Sequence, residues 1–379
     1  MVEAIARIFP QADLFAMLAD PTILPPDLKR RRISTSFLQY FPWKYRWHRQ
    51  FMPLYPLALE QLDLTPYDLV ISSESAPAKG VITSSHTCHI CYCHSPMRYV
   101  WDMYHSYRSG MGGLARVAFT CAAHYLRLWD LAAASRVDYF VANSHNVAKR
   151  IRKHYRRDAP VIPPPIDISE GFVTEDIHDY YLVLGRLVDY KRVDLVIEAC
   201  NLLGRHLIVV GGGPKMKELQ KLAGPTVRFL GQVPRETVRQ AYAHCRALLF
   251  AGEEDFGLVP LEAQSFGRPV IAFGRGGALE TVRGIWNEGE FSPQATGVFF
   301  REQSAASLLE AIQLYESVER QFSPNTIQAR AGLFDESNFE RKMKEFVMCK
   351  MYDFRKGTRE VPFDLPDSCE NELKQIGID

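Results

Sequence analysis

From Tyr67 onward the chain alternates short apolar runs with longer stretches in which apolar side chains recur every three or four residues. Tyr67-Asp68-Leu69-Val70-Ile71-Ser72, His89-Ile90-Cys91-Tyr92-Cys93 and Asp138-Tyr139-Phe140-Val141-Ala142-Asn143 read as strands in the first half. In the second half the pattern predicts strands over 180–184, 206–210, 227–230, 247–250, 269–273 and 298–300, with helical segments between them. Such alternation argues for mostly parallel sheets covered by helices, and six strands in that order make a Rossmann-like unit. Helical periodicity returns over 304–322 and 337–350.

Pro163-Pro164-Pro165 fixes extended backbone, so 163 to about 174 is the expected connection between two domains. The expected organisation is an N-terminal Rossmann-like domain over 1–165 and a second over 175–330. A helix over 331–350 is expected to pack back towards the first domain, and 351–379 forms a polar tail. The start departs from this scheme. Residues 2–9 have the spacing of an amphipathic helix, whereas a Rossmann-like domain opens with a strand and a Gly-rich turn. The first strand is therefore expected to be missing, through a truncated start or a real loss.

Length and composition fit two globular domains: 379 residues, 47% hydrophobic and 23% charged. With 45 Lys and Arg against 44 acidic residues, no global field recruits nucleic acid. One local cluster stands out. Between Leu28 and Leu59 lie seven cations and no acid, interleaved with aromatics in Trp43-Lys44-Tyr45-Arg46-Trp47-His48-Arg49. That mixture suits an anionic membrane surface, although Trp43 and Trp47 also have the spacing of core residues on a helix. The eight cysteines are scattered and there is no signal peptide, which favours a cytoplasmic protein, peripheral at the inner face of the membrane. The apolar stretch 117–141 carries His124, Arg127, Asp130, Arg136 and Asp138, and reads as core helices.

Candidate chemistry collects in the second half. His206-Leu207-Ile208-Val209-Val210-Gly211-Gly212-Gly213-Pro214 is a buried strand, a glycine turn and a Pro at an expected first helical position. Its N–H groups offer an anion site, although a glycine run alone also suits a plain tight turn. Gly185-Arg186-Leu187-Val188-Asp189-Tyr190-Lys191 sets two cations past a strand end, where parallel sheets bind ligands. Glu254-Asp255-Phe256-Gly257-Leu258-Val259-Pro260-Leu261-Glu262 puts one carboxylate in a loop and the other in the next helix, facing one crevice. Cys88, Cys91, Cys93 and His94, with His86 and His89, superficially suggest zinc. Strand alternation puts Cys88 on the opposite face from Cys91 and Cys93, and no second module completes a site, so no metal is expected.

With Glu254 and Glu262 as E-x7-E, Gly185 to Lys191 as G-R-x4-K, and the Gly-Gly-Gly-Pro run, the chain resembles glycosyltransferase family 4 of the two-domain GT-B fold. The stretches Tyr92-Cys93-His94-Ser95-Pro96-Met97-Arg98-Tyr99-Val100-Trp101-Asp102 and Gly276-Gly277-Ala278-Leu279-Glu280-Thr281-Val282 look like its mannosyltransferase branch, which builds bacterial surface polysaccharides. The resemblance implies two Rossmann-like domains facing a central cleft, and retaining, metal-independent transfer from a nucleoside-diphosphate sugar, GDP-mannose favoured. The acceptor implied is an oligosaccharide or a lipid-linked glycan. It further implies Arg186 and Lys191 on the diphosphate with Gly211, Gly212 and Gly213 beside it. Glu262 falls on the ribose and Glu254 on the donor sugar, with Phe256, Gly257 and Leu258 completing the donor site. His94 falls at the reacting centre and Arg98 at the cleft. Two other readings stay open, an inactive relative that binds a glycolipid or partner, and a sugar-nucleotide epimerase.

Overall fold

The structure, a computed structural model, describes residues 1–42, 44–47, 50–74, 77–286 and 290–357. Trp43, His48, Arg49 and the tail beyond Gly357 lie outside the described residues, as do the side chains of Arg46 and Trp47. The chain forms two compact units, Met1–Pro164 with the segment that begins at Phe339, and Pro165–Asn338. The division falls within the Pro163-Pro164-Pro165 run.

In the first unit β1 (Leu14–Ala16) and β2 (Ile33–Thr35) pair in parallel as a small sheet of their own. A second parallel sheet runs β3 (Leu69–Glu74), β4 (Cys88–Cys93), β5 (Tyr139–Ala142), with β4 central and all six of its residues buried. Alternation along β4 decides which side chains meet which layer. Cys88, Ile90 and Tyr92 meet Phe339, Met343, Phe346 and Val347 of the helix Glu336–Gly357. Cys91 and Cys93 meet Ala134, Val147 and Ile151 on the opposite side. Asp335 accepts the Asn338 N–H at 2.9 Å, satisfying a free donor at the start of the helix Glu336–Gly357. That helix runs to Gly357, so the first residues of the expected tail are helical.

The helix Gly113–Ser135 corrects the reading of 117–141 as core. It buries Ala123, Leu126, Trp129 and Ala133, yet leaves Leu114 at 84%, Val117 at 59% and Leu128 at 58% exposure. Apolar periodicity marks a stripe without saying whether protein covers it. Two cations of the Leu28 to Leu59 cluster turn inward: Arg31 donates to the Ala6 carbonyl at 2.8 Å, and Lys44 donates to the Gln39 carbonyl.

A wholly buried charge cluster sits at the exit of β3. Lys79 bridges Glu74 at 3.1 Å and also bonds Asp130. Asp130 accepts from Trp101 Nε1 at 2.8 Å and from the Tyr155 hydroxyl at 2.9 Å. Burial pushes the Glu74 carboxyl up to about 7 against the pull of Lys79, with Asp130 adding to the rise.

In the second unit β6 (Tyr181–Leu184), β7 (Leu207–Val210), β8 (Val227–Gly231), β9 (Leu248–Phe250), β10 (Val270–Phe273), β11 (Gly284–Ile285) and β12 (Gly297–Phe300) form one parallel sheet. Their spatial order is β11-β12-β10-β9-β6-β7-β8. The six expected strands are present. β11 escaped the pattern because its two residues make no run, and the helix Pro324–Gly332 was also not anticipated. Both faces are covered, one with Tyr181, Val196, Ile197 and Ile312, the other with Leu182, Tyr242, Ala263 and Phe266.

Candidate active site

β6 is the first strand of the second unit and lies between β7 and β9. The chain winds outward on one side through β7 and β8, then returns past β6 to continue with β9. Loops leaving β6 and β9 therefore diverge at a switch point, which opens a crevice at their carboxyl ends. That crevice is a pocket of about 330 Å³, counting its open mouth, and Arg186, Lys191 and Glu254 are its charged lining residues. Gly185, Leu187, Gly252 and the ends of β6 and β9 complete it.

Lys191 Nζ lies 2.8 Å from Glu254 Oε1, and the two side chains are only 15% and 18% exposed. Partial burial strengthens this pair relative to a surface bridge and holds both groups at the pocket wall. Arg186 projects to solvent and makes no hydrogen bond or ion pair among the described residues. The Gly-rich corner reaches the same place through backbone. Gly211 adopts φ of 121°, and a Cβ there would lie 2.0 Å from the Gly185 carbonyl oxygen, so no other residue lets β6 and β7 exit so closely. Gly212 accepts from the Leu187 N–H and Gly213 from the Met216 N–H. Among the described residues, the N–H groups of Gly212 and Gly213 donate to no protein acceptor. The following helix begins at Met216, so Pro214 precedes it in a turn and does not occupy its first position.

Glu262 lies on the helix Leu258–Ser265 and is outside the pocket lining. The buried Tyr242 hydroxyl donates to its Oε2 at 2.8 Å and fixes the carboxyl in one orientation. Sequence reasoning missed Tyr242. The signal was a tyrosine among the apolar residues of the amphipathic helix Arg235–His244, where a buried hydroxyl needs an acceptor. Gly257 leads into the helix Leu258–Ser265 with φ of 98°, and Leu258 is 42% exposed. The Phe256 side chain packs with Ile166, Leu261, Ala331 and Phe334, so its backbone is the part it can offer a ligand. That backbone is held by Gly277, where a Cβ would sit 2.2 Å from Phe256.

His94 and Arg98 belong to the first unit. His94 Nε2 shares a 3.0 Å hydrogen bond with Ser73 Oγ. Burial, aided by the chain's own N-terminal ammonium, pushes its imidazole down to about 4, so the ring is neutral at pH 7. The cysteines considered for zinc are buried in β4 with no ligand set around them among the described residues. The described residues hold one metal-type group, Asp176, His178 and His244, at the amino end of β6 and outside the pocket.

Residues 18–170 match the model of Glycosyltransferase Family 4, and residues 170–329 match that of Glycosyl transferases group 1. The chain belongs to the group 1 glycosyltransferases of family 4. Its similarity to the alpha-1,3/1,6-mannosyltransferase of Saccharomyces cerevisiae is 26% identity over 325 residues, covering 70% of this chain and 61% of that one. Matched stretches span 35% to 61% of the lengths of the first curated relatives. Among solved structures, sucrose-phosphate synthase of Thermosynechococcus elongatus superposes with a TM-score of 0.68 at 19% identity, covering 92% of this chain and 90% of that one. The Anabaena protein HepE in complex with UDP-glucose gives 0.64 at 18%, covering 92% and 94%. The fold is accordingly GT-B, α/β with two Rossmann-like units.

Proposed function

We propose that the protein is a retaining glycosyltransferase, moving a sugar from a nucleoside-diphosphate sugar to a hydroxyl of an oligosaccharide or lipid-linked glycan in surface polysaccharide synthesis. The observation that carries this reading is the Lys191–Glu254 pair beside Arg186 at the switch point of a parallel sheet, next to the N–H groups of Gly212 and Gly213, which donate to no acceptor among the described residues. Departure of the nucleoside diphosphate breaks the bond from sugar C1 to phosphate oxygen and leaves negative charge on the phosphate. Arg186, Lys191 and the two N–H groups are suited to stabilise that charge as it develops. The acceptor oxygen bonds to C1, and its proton leaves with the diphosphate. Glu254 then faces the sugar and Glu262, held by Tyr242, the ribose. Mannose as the sugar is supported by the yeast relative's name, GDP as its carrier by the name of a GDP-mannose-dependent mannosyltransferase of Mycolicibacterium smegmatis, 36% identical over 119 residues that cover 26% of this chain and 31% of that one, and a nucleotide sugar by the UDP-glucose complex of HepE.

Glu262→Ala is expected to weaken donor binding about tenfold or more with a smaller loss of kcat, whereas Glu254→Gln lowers kcat with little change in affinity. Calorimetry with GDP-mannose and UDP-glucose, together with initial rates, separates the two. Unchanged affinity and rate in both variants would sink the assignment. Because two side-chain cations serve the diphosphate, transfer is expected to survive chelation with EDTA. Complete loss restored by Mg²⁺ or Mn²⁺ would show that a metal holds the phosphates.

A further inference from the structure

The helix Gly113–Ser135 presents an outward apolar stripe that no segment among the described residues covers. Leu114, Ala118, Cys121, Tyr125 and Leu128 recur at alternating spacings of four and three, which places them along one side of the helix. Val117 widens the stripe, and every residue from Gly112 to Ala118 is exposed, so the first turns of this helix project from the unit. A stripe of this extent on a soluble face marks an interaction surface.

Charge decides between occupants. From Met103 to Trp129 the sequence contains no Asp or Glu, while Arg108, Arg116, His105 and His124 stand around the stripe. The nearest acid on the same helix, Asp130, is wholly buried against Lys79, Trp101 and Tyr155. A second copy of the same face would bring cations against cations with no acidic partner in either orientation. An anionic lipid surface offers both what the stripe lacks and what it presents, an apolar medium for Leu114 and Val117 and phosphates for the arginines. No helix among the described residues is long and apolar enough to cross a membrane, which leaves lying on the bilayer as the mode of contact.

We propose that this helix is a membrane-docking surface for anionic phospholipid, with Leu114, Val117, Tyr125 and Leu128 entering the headgroup boundary and Arg108 and Arg116 meeting lipid phosphates. This moves the lipid contact away from the cluster between Leu28 and Leu59, where Arg31 gives its terminal N–H groups and Lys44 its ammonium to backbone carbonyls, whereas Arg116 and Arg108 bond the Met111 carbonyl and Thr120 Oγ1 through Nε and keep their terminal N–H groups for phosphate. The proposal stands apart from the donor chemistry, because it concerns a different face and needs no nucleotide.

The test is cosedimentation of the full chain with vesicles of phosphatidylcholine alone and of phosphatidylcholine with phosphatidylglycerol, at low and high salt. Binding to the anionic vesicles, at least tenfold tighter than to neutral ones and weakened by salt, is the expected result. Leu114→Glu combined with Leu128→Glu is expected to weaken it at least tenfold with unchanged circular dichroism and melting temperature, as is Arg108→Glu with Arg116→Glu. Arg30→Glu with Arg32→Glu is the comparator and is expected to change binding less than threefold. Absence of binding by the wild type overturns the proposal, as does loss of binding only in the Arg30 and Arg32 variant. A concentration-dependent dimer in sedimentation velocity, abolished by the Leu114 and Leu128 changes, would instead assign the stripe to a second copy.

Discussion

Lys191→Ala is expected to lower kcat/KM for sugar transfer by about 10²–10³-fold, the usual cost of removing one fixed charge aimed at a developing oxyanion. Its effect should exceed that of Arg186→Ala. Lys191 is 15% exposed and already held at 2.8 Å by Glu254, whereas Arg186 projects into solvent and must be ordered by the ligand. Truncating Lys191 also strips the counter-charge from Glu254, so the pocket that received an anionic diphosphate now repels it. The loss should therefore appear in donor affinity as well as in turnover. Because the two side chains act through one bridge, Lys191→Ala with Glu254→Gln should be no worse than the more damaging single change. Steady-state rates and donor calorimetry on the three variants test this, with melting temperature as the check on folding. Unchanged kcat/KM in Lys191→Ala would remove the diphosphate from this pocket.

Much of this site was legible because a parallel sheet imposes a strict order on what its carboxyl edge can hold. Apolar runs located β6, β7 and β9, and the residues just past each run, Arg186, Gly211 and Glu254, fall together once the strand order is known. What sequence could not supply was partnership. Tyr242 lies twenty residues before Glu262, and nothing in local periodicity announces that its hydroxyl orients that carboxyl. Phe256 sits inside the motif, but sequence does not say which of its atoms face outward, and burial against Leu261 and Phe334 turns its ring into the core and leaves the backbone for a ligand. The helix Gly113–Ser135 shows the converse, since its outward stripe has the same period as a core-facing one, and only exposure separates them.

Lys79→Met is expected to destabilise the first unit by about 3–5 kcal/mol, the range for removing one member of a buried ion cluster. Lys79, Glu74 and Asp130 are each 2% exposed or less, so water cannot replace the lost ammonium. Asp130 would retain its bonds from Trp101 and Tyr155, but among the described residues Glu74 would keep only the Lys79 backbone N–H, at 2.9 Å. One cation facing two carboxyls is best balanced when one carboxyl holds a proton, and burial assigns that proton to Glu74 by raising it to about 7 from the ordinary 4.5. A raised folded-state value means that this group's stabilisation is full below about pH 4.5 and is lost as pH rises through about 7. The shift corresponds to roughly 3 kcal/mol at most, by the conversion of 1.36 kcal/mol per unit. Glu74→Gln keeps the shape and the neutral form at every pH. It should therefore match the wild type near pH 5 and exceed it in stability at pH 8. Urea unfolding of the wild type, Lys79→Met and Glu74→Gln across that range measures both effects. A Glu74→Gln chain that is less stable than the wild type by the same amount at pH 5 and pH 8 would show that Glu74 is ionised throughout. The cluster would then hold two carboxylates on one lysine.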